Sequence, residues 1–202
     1  MTVRLVLASA SPARLTTLRQ AGLSPEVVVS GVDEDALSAP DPAELTLVLA
    51  RAKAAAVADT LDVAEPTLVV GCDSLLELDG QVQGKPGSAE QAVERWRSMR
   101  GRTGTLHTGH SVRLLAPDAE PRDAAAVSST FVHFADVSDA EIDAYVATGE
   151  PLAVAGAFTI DGLGGPFVEG IEGDPHTVVG ISLPLLRRLL ERLGIAWPIL
   201  WR

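Results

Sequence analysis

The chain predicts an α/β fold, a mixed, twisted β-sheet flanked by helices. Three observations carry this. In the first half, short Val- and Leu-rich runs alternate with stretches whose apolar residues fall at helical spacing. In the middle, two long strand-like segments joined by a polar turn read as a hairpin. The 202 residues are 47% hydrophobic, enough for a packed core, and no apolar run approaches the ~20 residues that span a bilayer. That size suits one domain covering residues 1–202.

Val3 to Ala8 reads as a buried strand. Ser11 then supplies an N-cap and Pro12 a first helical position, for a helix that stops at Gly22. A strand, a small-residue loop and a helix start place backbone N–H groups where an anion can sit, lined by Ser9, Ser11 and Arg14. The same pattern also fits a plain strand–helix unit with a serine cap. Glu26 to Ser30 reads as a second strand. It leads into Asp33-Glu34-Asp35, which is either a solvated loop or, beside another carboxylate, a metal site. Asp41-Pro42-Ala43-Glu44 is a helix start, followed by Leu45, Val48, Leu49, Ala52 and Ala56 at helical spacing. Arg51 and Lys53 flank that stripe.

Leu68 to Gly71 is an apolar run ending in Cys72-Asp73-Ser74, with Asp79-Gly80 as a turn and Gly84-Lys85-Pro86 closing the unit. Asp73 and Lys85 form a chemically suggestive pair; equally, Asp73 caps a turn and Lys85 is a loop charge. Ser88 with Gln91 opens a helix through Met99. Thr105 to Leu115 and Ala124 to Asp136 form the hairpin, with Pro117 to Arg122 as its turn. Ser138 with Glu141 is a further capping box. Gly156 to Ile160 and Phe167 to Ile171 read as short strands, and Pro184 to Leu193 as an amphipathic final helix. The apolar tail, Ala196 to Arg202, either packs back on the core or makes a subunit contact. His107, His110 and His133 sit at no metal-ligand spacing and read as structural.

The net charge is −11, which argues against a nucleic-acid partner. It leaves room for a small phosphorylated ligand held by a few focused cations. A single cysteine, Cys72, excludes an internal disulfide and a cysteine zinc site. With no membrane or signal pattern, a cytoplasmic location is expected.

In combination these segments resemble the Maf family of nucleoside triphosphate pyrophosphatases, within the inosine triphosphate pyrophosphatase-like superfamily. The matching pieces are LASASPAR (Leu7 to Arg14), VDED (Val32 to Asp35), LARAKA (Leu49 to Ala54), GCDS (Gly71 to Ser74), GKP (Gly84 to Pro86) and GRTGTLHTG (Gly101 to Gly109). They continue with YVATGEP (Tyr145 to Pro151), AGAFTIDGLGGPFV (Ala155 to Val168) and IEGDPHTVVG (Ile171 to Gly180). The resemblance implies a two-lobed fold with a central cleft. It also implies cleavage of nucleoside triphosphates, including non-standard or modified ones, to monophosphate and pyrophosphate, with Mg2+ or Mn2+ as a cofactor. By the same resemblance Asp73 is the catalytic proton acceptor, and Ser9, Arg14, Lys53 and Lys85 hold phosphates, with Ser11 beside them in the substrate site. Glu34 shares the metal with Asp73. A homodimer is compatible with the family.

Ala13, Ser74 and Asp161 stand where the thymidine/uridine branch carries arginine, threonine and glutamine. Ser74 and Asp161 therefore enter the substrate site with the base preference left open. Ala153-Val154 replaces a usual Asp-Lys. Two other classes remain to be weighed: a nucleotide-sensing regulator of cell division with little or no catalysis, given the family's association with filamentation, and a phosphomonoesterase.

Overall fold

The computed structural model describes residues 3–117 and 119–201. In order, the regular elements are β1 (Arg4–Ala8), α1 (Pro12–Gln20), β2 (Glu26–Val27), α2 (Pro42–Ala58), β3 (Thr67–Leu78), β4 (Gln81–Gln83) and α3 (Ala89–Met99). They continue as β5 (Thr103–Ala116), β6 (Ala119–Phe134), α4 (Asp139–Ala147), β7 (Val168–Glu172), α5 (Pro175–Val179) and α6 (Leu183–Arg192). The seven strands form one sheet in the order β2-β1-β3-β5-β6-β7, with β4 added beside β3. β1 runs parallel to β2 and β3, and the other pairings are antiparallel. The mixed sheet flanked by helices is therefore as expected. No helix among the described residues is long and apolar enough to cross a membrane.

Helix starts follow the local chemistry of the sequence. Ser11, Asp41, Ser88 and Ser138 each accept a hydrogen bond from the backbone N–H three residues on. Ser138 and Glu141 form the full reciprocal box. At α3, by contrast, the Gln91 side chain accepts from Gly87 N rather than from Ser88.

β3 is the central departure from expectation. It does not end at Asp73 but runs on to Leu78 before the Asp79-Gly80 turn, whose two residues both take positive φ (53° and 74°). The reason is a change of partner. β1 pairs with Thr67 to Gly71 and stops at Ala8, whereas β5 pairs along the whole stretch from Thr67 to Glu77. β4 then takes the free side from Leu76. Between them, Cys72 to Leu75 carry β5 on one side and, among the described residues, no strand on the other, a notch in the sheet.

Other departures are smaller. β2 covers Glu26–Val27 rather than 26–30, because β1 runs out opposite it. Residues 155–157 form a turn, with Gly156 at φ 73° and Ala157 at φ 59°, and not a strand. α5 is a short helix with the same Asp-Pro start as α2. β6 begins at Ala119, so the hairpin turn is tighter than residues 117–122; Asp118 lies outside the described residues. The tail folds back, burying Leu200 and pairing Trp201 with Leu23, while Arg202 lies outside the described residues.

The two faces of the sheet carry different layers. α2 lies on one face, over Val6, Val69 and Leu115. Its backbone presses onto the strands, so that a Cβ at Gly71 would stand 2.3 Å from Ala50 O, and one at Gly109 2.2 Å from Thr46 O. The opposite face carries two apolar cores in succession. One gathers Leu68, Val70 and Val112 under Leu186 and Leu189 of α6. The other gathers Leu76, Leu106 and Phe134 under Trp96, Tyr145 and Phe158. Between them the inward residues turn polar. Ser74, Thr108 and Ser128 stand in register across β3, β5 and β6. That polar seam separates the two lobes.

His110, next to the seam, is fully buried and satisfied on both ring nitrogens. Its Nδ1 faces Thr108 O at 3.0 Å and its Nε2 accepts from Ser182 N at 2.8 Å. This is the neutral tautomer, and burial pushes its pKa down from 6.5 to about 4.

Two consequences are measurable by urea denaturation. Gly109→Ala forces α2 off the sheet and is expected to cost about 3 kcal/mol. Because the fold holds His110 neutral, its contribution is complete above pH 6.5 and is lost as pH falls toward about 4. Wild type should therefore lose up to about 3 kcal/mol more on acidification than His110→Gln, from a shift worth ~1.4 kcal/mol per pH unit.

Candidate active site

The notch in β3 is lined from both sides of the sheet, because Asp73 and Ser74 are neighbours and point to opposite faces. On the α2 side, Lys53 projects from the buried face of its helix. Its Nζ lies 2.5 Å from Asp73 Oδ1 and 2.6 Å from Glu34 Oε1. Lys53 and Asp73 are only 8% and 6% exposed, while the Glu34 side chain is half in solvent. Glu34 comes from a single helical turn, Glu34–Ala36, capped by Asp33. Burial raises the Asp73 carboxyl above its ordinary pKa, and the Lys53 ammonium pulls it back.

On the other face, α1 begins just past the end of β1. Ser11 caps it, and Ser9 Oγ accepts from Ser11 N (3.2 Å) and from Arg14 Nη1 (3.0 Å). Arg14 Nη2 donates to Ser74 Oγ at 3.0 Å and Nε to Gly180 O at 2.7 Å. Ser74 Oγ is 2.9 Å from Thr108 Oγ1, which in turn donates to Thr177 O at 2.8 Å. Since Thr108 spends its proton on that carbonyl, Ser74 donates to Thr108 and accepts from Arg14. Gly180, at φ 118°, is closely approached: a Cβ there would lie 3.2 Å from Arg14 Nε.

Arg14 is 9% exposed. Among the described residues it bonds two serine hydroxyls and a carbonyl, and no carboxylate. A buried guanidinium without a counter-ion, beside the N-terminus of a nine-residue helix, is an environment that favours an anion. Thus Glu34, Lys53 and Asp73 form one group, and Ser9, Ser11, Arg14 and Ser74 a second, joined at the Asp73-Ser74 peptide.

Lys85 and Asp161 are exposed, and neither has an ion pair or side-chain hydrogen bond among the described residues. Thr108, Thr177 and Gly180 belong to the site and were not singled out by the sequence. The strand register places Thr108 opposite Ser74, while Thr177 and Gly180 reach the site from α5 and its C-cap. The histidines take no part in either group: His107 bonds Ser129 and Glu77, and His133 bonds Thr103 and Glu172.

Among the described residues no cluster of three or more His, Cys, Asp or Glu is placed to hold a metal. The Glu34 and Asp73 carboxylates nevertheless converge on one cation, the Lys53 ammonium. Two hard oxygen donors with little else suit an ion that takes its remaining ligands from water and phosphate.

A sequence profile of the family described as Maf-like protein matches residues 4–193. The chain is similar to a nucleoside triphosphate pyrophosphatase of Streptomyces avermitilis, at 60% identity over 98% of this chain and 94% of the relative. It is similar also to one of Salinispora tropica, at 61% over 98% and 88%. A dITP/XTP pyrophosphatase structure from Mycobacterium abscessus aligns over 94% of this chain and 93% of its own, with a TM-score of 0.40 and 13% identity, a likeness too weak to bear on the fold.

Removing Lys53 alone strands a buried carboxylate. Lys53→Met is expected to lower unfolding free energy by about 3–5 kcal/mol. Lys53→Met combined with Asp73→Leu should cost much less, since both charges leave together. Urea titration of the three proteins measures the difference.

Proposed function

The chain belongs to the Maf family, and from that premise we propose that it hydrolyses nucleoside triphosphates to the monophosphate and pyrophosphate. We read residues 1–202 as one catalytic domain, acting on non-standard or modified nucleotides. The observation that carries the reading is the pairing of a buried carboxylate–lysine couple with an arginine that meets no carboxylate among the described residues, across a single notch. One half offers a proton acceptor, and the other a place for phosphate charge.

Water attacks the α phosphorus, the bond from that phosphorus to the α–β bridging oxygen breaks, and pyrophosphate leaves. Asp73 orients the water and takes its proton. Its desolvated surroundings favour that uptake. Arg14, Ser9 and the first turn of α1 receive phosphate oxygens. To Lys53, held between two carboxylates, we assign the charge that develops on the leaving group. Lys85, exposed on its loop, supplies a second ammonium to the phosphate chain. A divalent cation, Mg2+ or Mn2+, would be held by Glu34 and Asp73 and would supply charge neutralisation on the phosphates. We assign Ser74, bonded to Arg14, and Asp161 to substrate binding, where their identity bears on base preference. An acidic protein can hold this anion because the local cations of the cleft decide.

A panel of standard and modified nucleoside triphosphates with Mg2+ or Mn2+ tests this, with products identified. Pyrophosphate and monophosphate are expected, and Asp73→Asn should slow their release by about 10²–10³. Inorganic phosphate as first product would indicate a phosphomonoesterase. Tight nucleotide binding without turnover would indicate a sensor.

A further inference from the structure

We propose that Arg95 is a positioning residue for Lys85: it holds the carbonyl of Gly84 so that the next side chain presents its ammonium to the phosphates. This rests on the phosphate role given to Lys85 above.

Lys85 has no side-chain partner among the described residues, so no contact fixes its flexible stem and the backbone of residues 84–86 sets where that stem starts and which way it leaves the loop. That backbone is tied at one atom. Gly84 O accepts from Arg95 Nη1 of α3 and from Gly156 N at 3.2 Å. The Gly156 turn is itself fixed to α3, because Trp96 Nε1 donates to Ala157 O at 2.8 Å. Arg95 and Trp96 are adjacent, so α3 grips both the turn and the lysine loop. Pro86, on the far side of Lys85, is buried. The loop is therefore held at both ends of the lysine.

Arg95 is a costly choice for packing alone. It is half-buried and, among the described residues, has no carboxylate partner, although Glu94 lines the same polar hollow. Burial also draws its guanidinium below the ordinary pKa. An unbranched apolar chain would fill the same path without desolvating a charge. What methionine cannot do is donate to Gly84 O. The arginine exchanges stability for a fixed loop.

The test compares Arg95→Met, Arg95→Lys, Lys85→Met and the Arg95→Met/Lys85→Met double variant, on the best substrate of the nucleotide panel. Arg95→Met is expected to keep or raise the Tm while raising KM about tenfold with little change in kcat, the pattern of lost binding. Arg95→Lys, still able to donate to the carbonyl, should recover most of that loss. In the Lys85→Met background Arg95→Met should change KM less than twofold, because the group it positions is gone. Equal KM factors in both backgrounds, or no KM change in Arg95→Met, would overturn the proposal while leaving Lys85 as a ligand. An unaltered KM in Lys85→Met would instead overturn the ligand role and the proposal together.

Discussion

The ammonium of Lys53, held between Asp73 and Glu34, is the interaction on which the rest of the site depends. Taking a lysine and an aspartate out of water costs several kcal/mol per charge, and their attraction offsets this only in close geometry. That geometry needs α2 at a fixed height above β3. Gly71 and Gly109 set it, since any side chain at either would collide with the helix backbone. The reactive pair is thus positioned by two residues that have no side chain, one of them two residues from Asp73 itself.

The cleft has an equally physical origin. A long three-stranded stretch presents one face to two separate apolar cores. Where the cores meet, a row of hydroxyls replaces aliphatic side chains. Ser74, Thr108 and Thr177 are bonded in series, and Arg14 closes the chain at its open end. The seam's carboxylate contact is at its far end, where Thr177 Oγ1 donates to Asp174 Oδ2 at 3.3 Å, and Arg14 meets no carboxylate among the described residues, so the arginine keeps its charge for a ligand. Had an acid stood at Ser74, the guanidinium would already be paired.

Local features were legible in the sequence, and distant ones were not. The caps at Ser11, Asp41 and Ser138 could be named because a cap is decided within four residues. The mixed sheet and hairpin followed from periodicity. The extent of β3 did not: its continuation past Asp73 depends on β4 and β5, which lie elsewhere in the chain. Gly156 to Ile160 reads as a strand from its β-compatible residues, whereas its first two residues take positive φ in a turn, which no local pattern announces. By spacing Lys53 only flanks the apolar stripe of its helix, and the family resemblance singles it out. Arg95 carried no signal, because its acceptor is a backbone carbonyl eleven residues away.

The interruption along β3 has a further meaning for solubility. Sheet edges with free main-chain groups invite another chain to add as a strand, and proteins usually guard them with charge, proline or brevity. Here the open segment is four residues long, recessed between β1 and β4, and sits beside a buried lysine and a buried arginine. It is too short to template an intruding strand, and its first two residues, Cys72 and Asp73, are buried. Main-chain groups cannot be altered by substitution. The protection of this edge therefore rests on its brevity and recess, and it holds however the surrounding side chains drift.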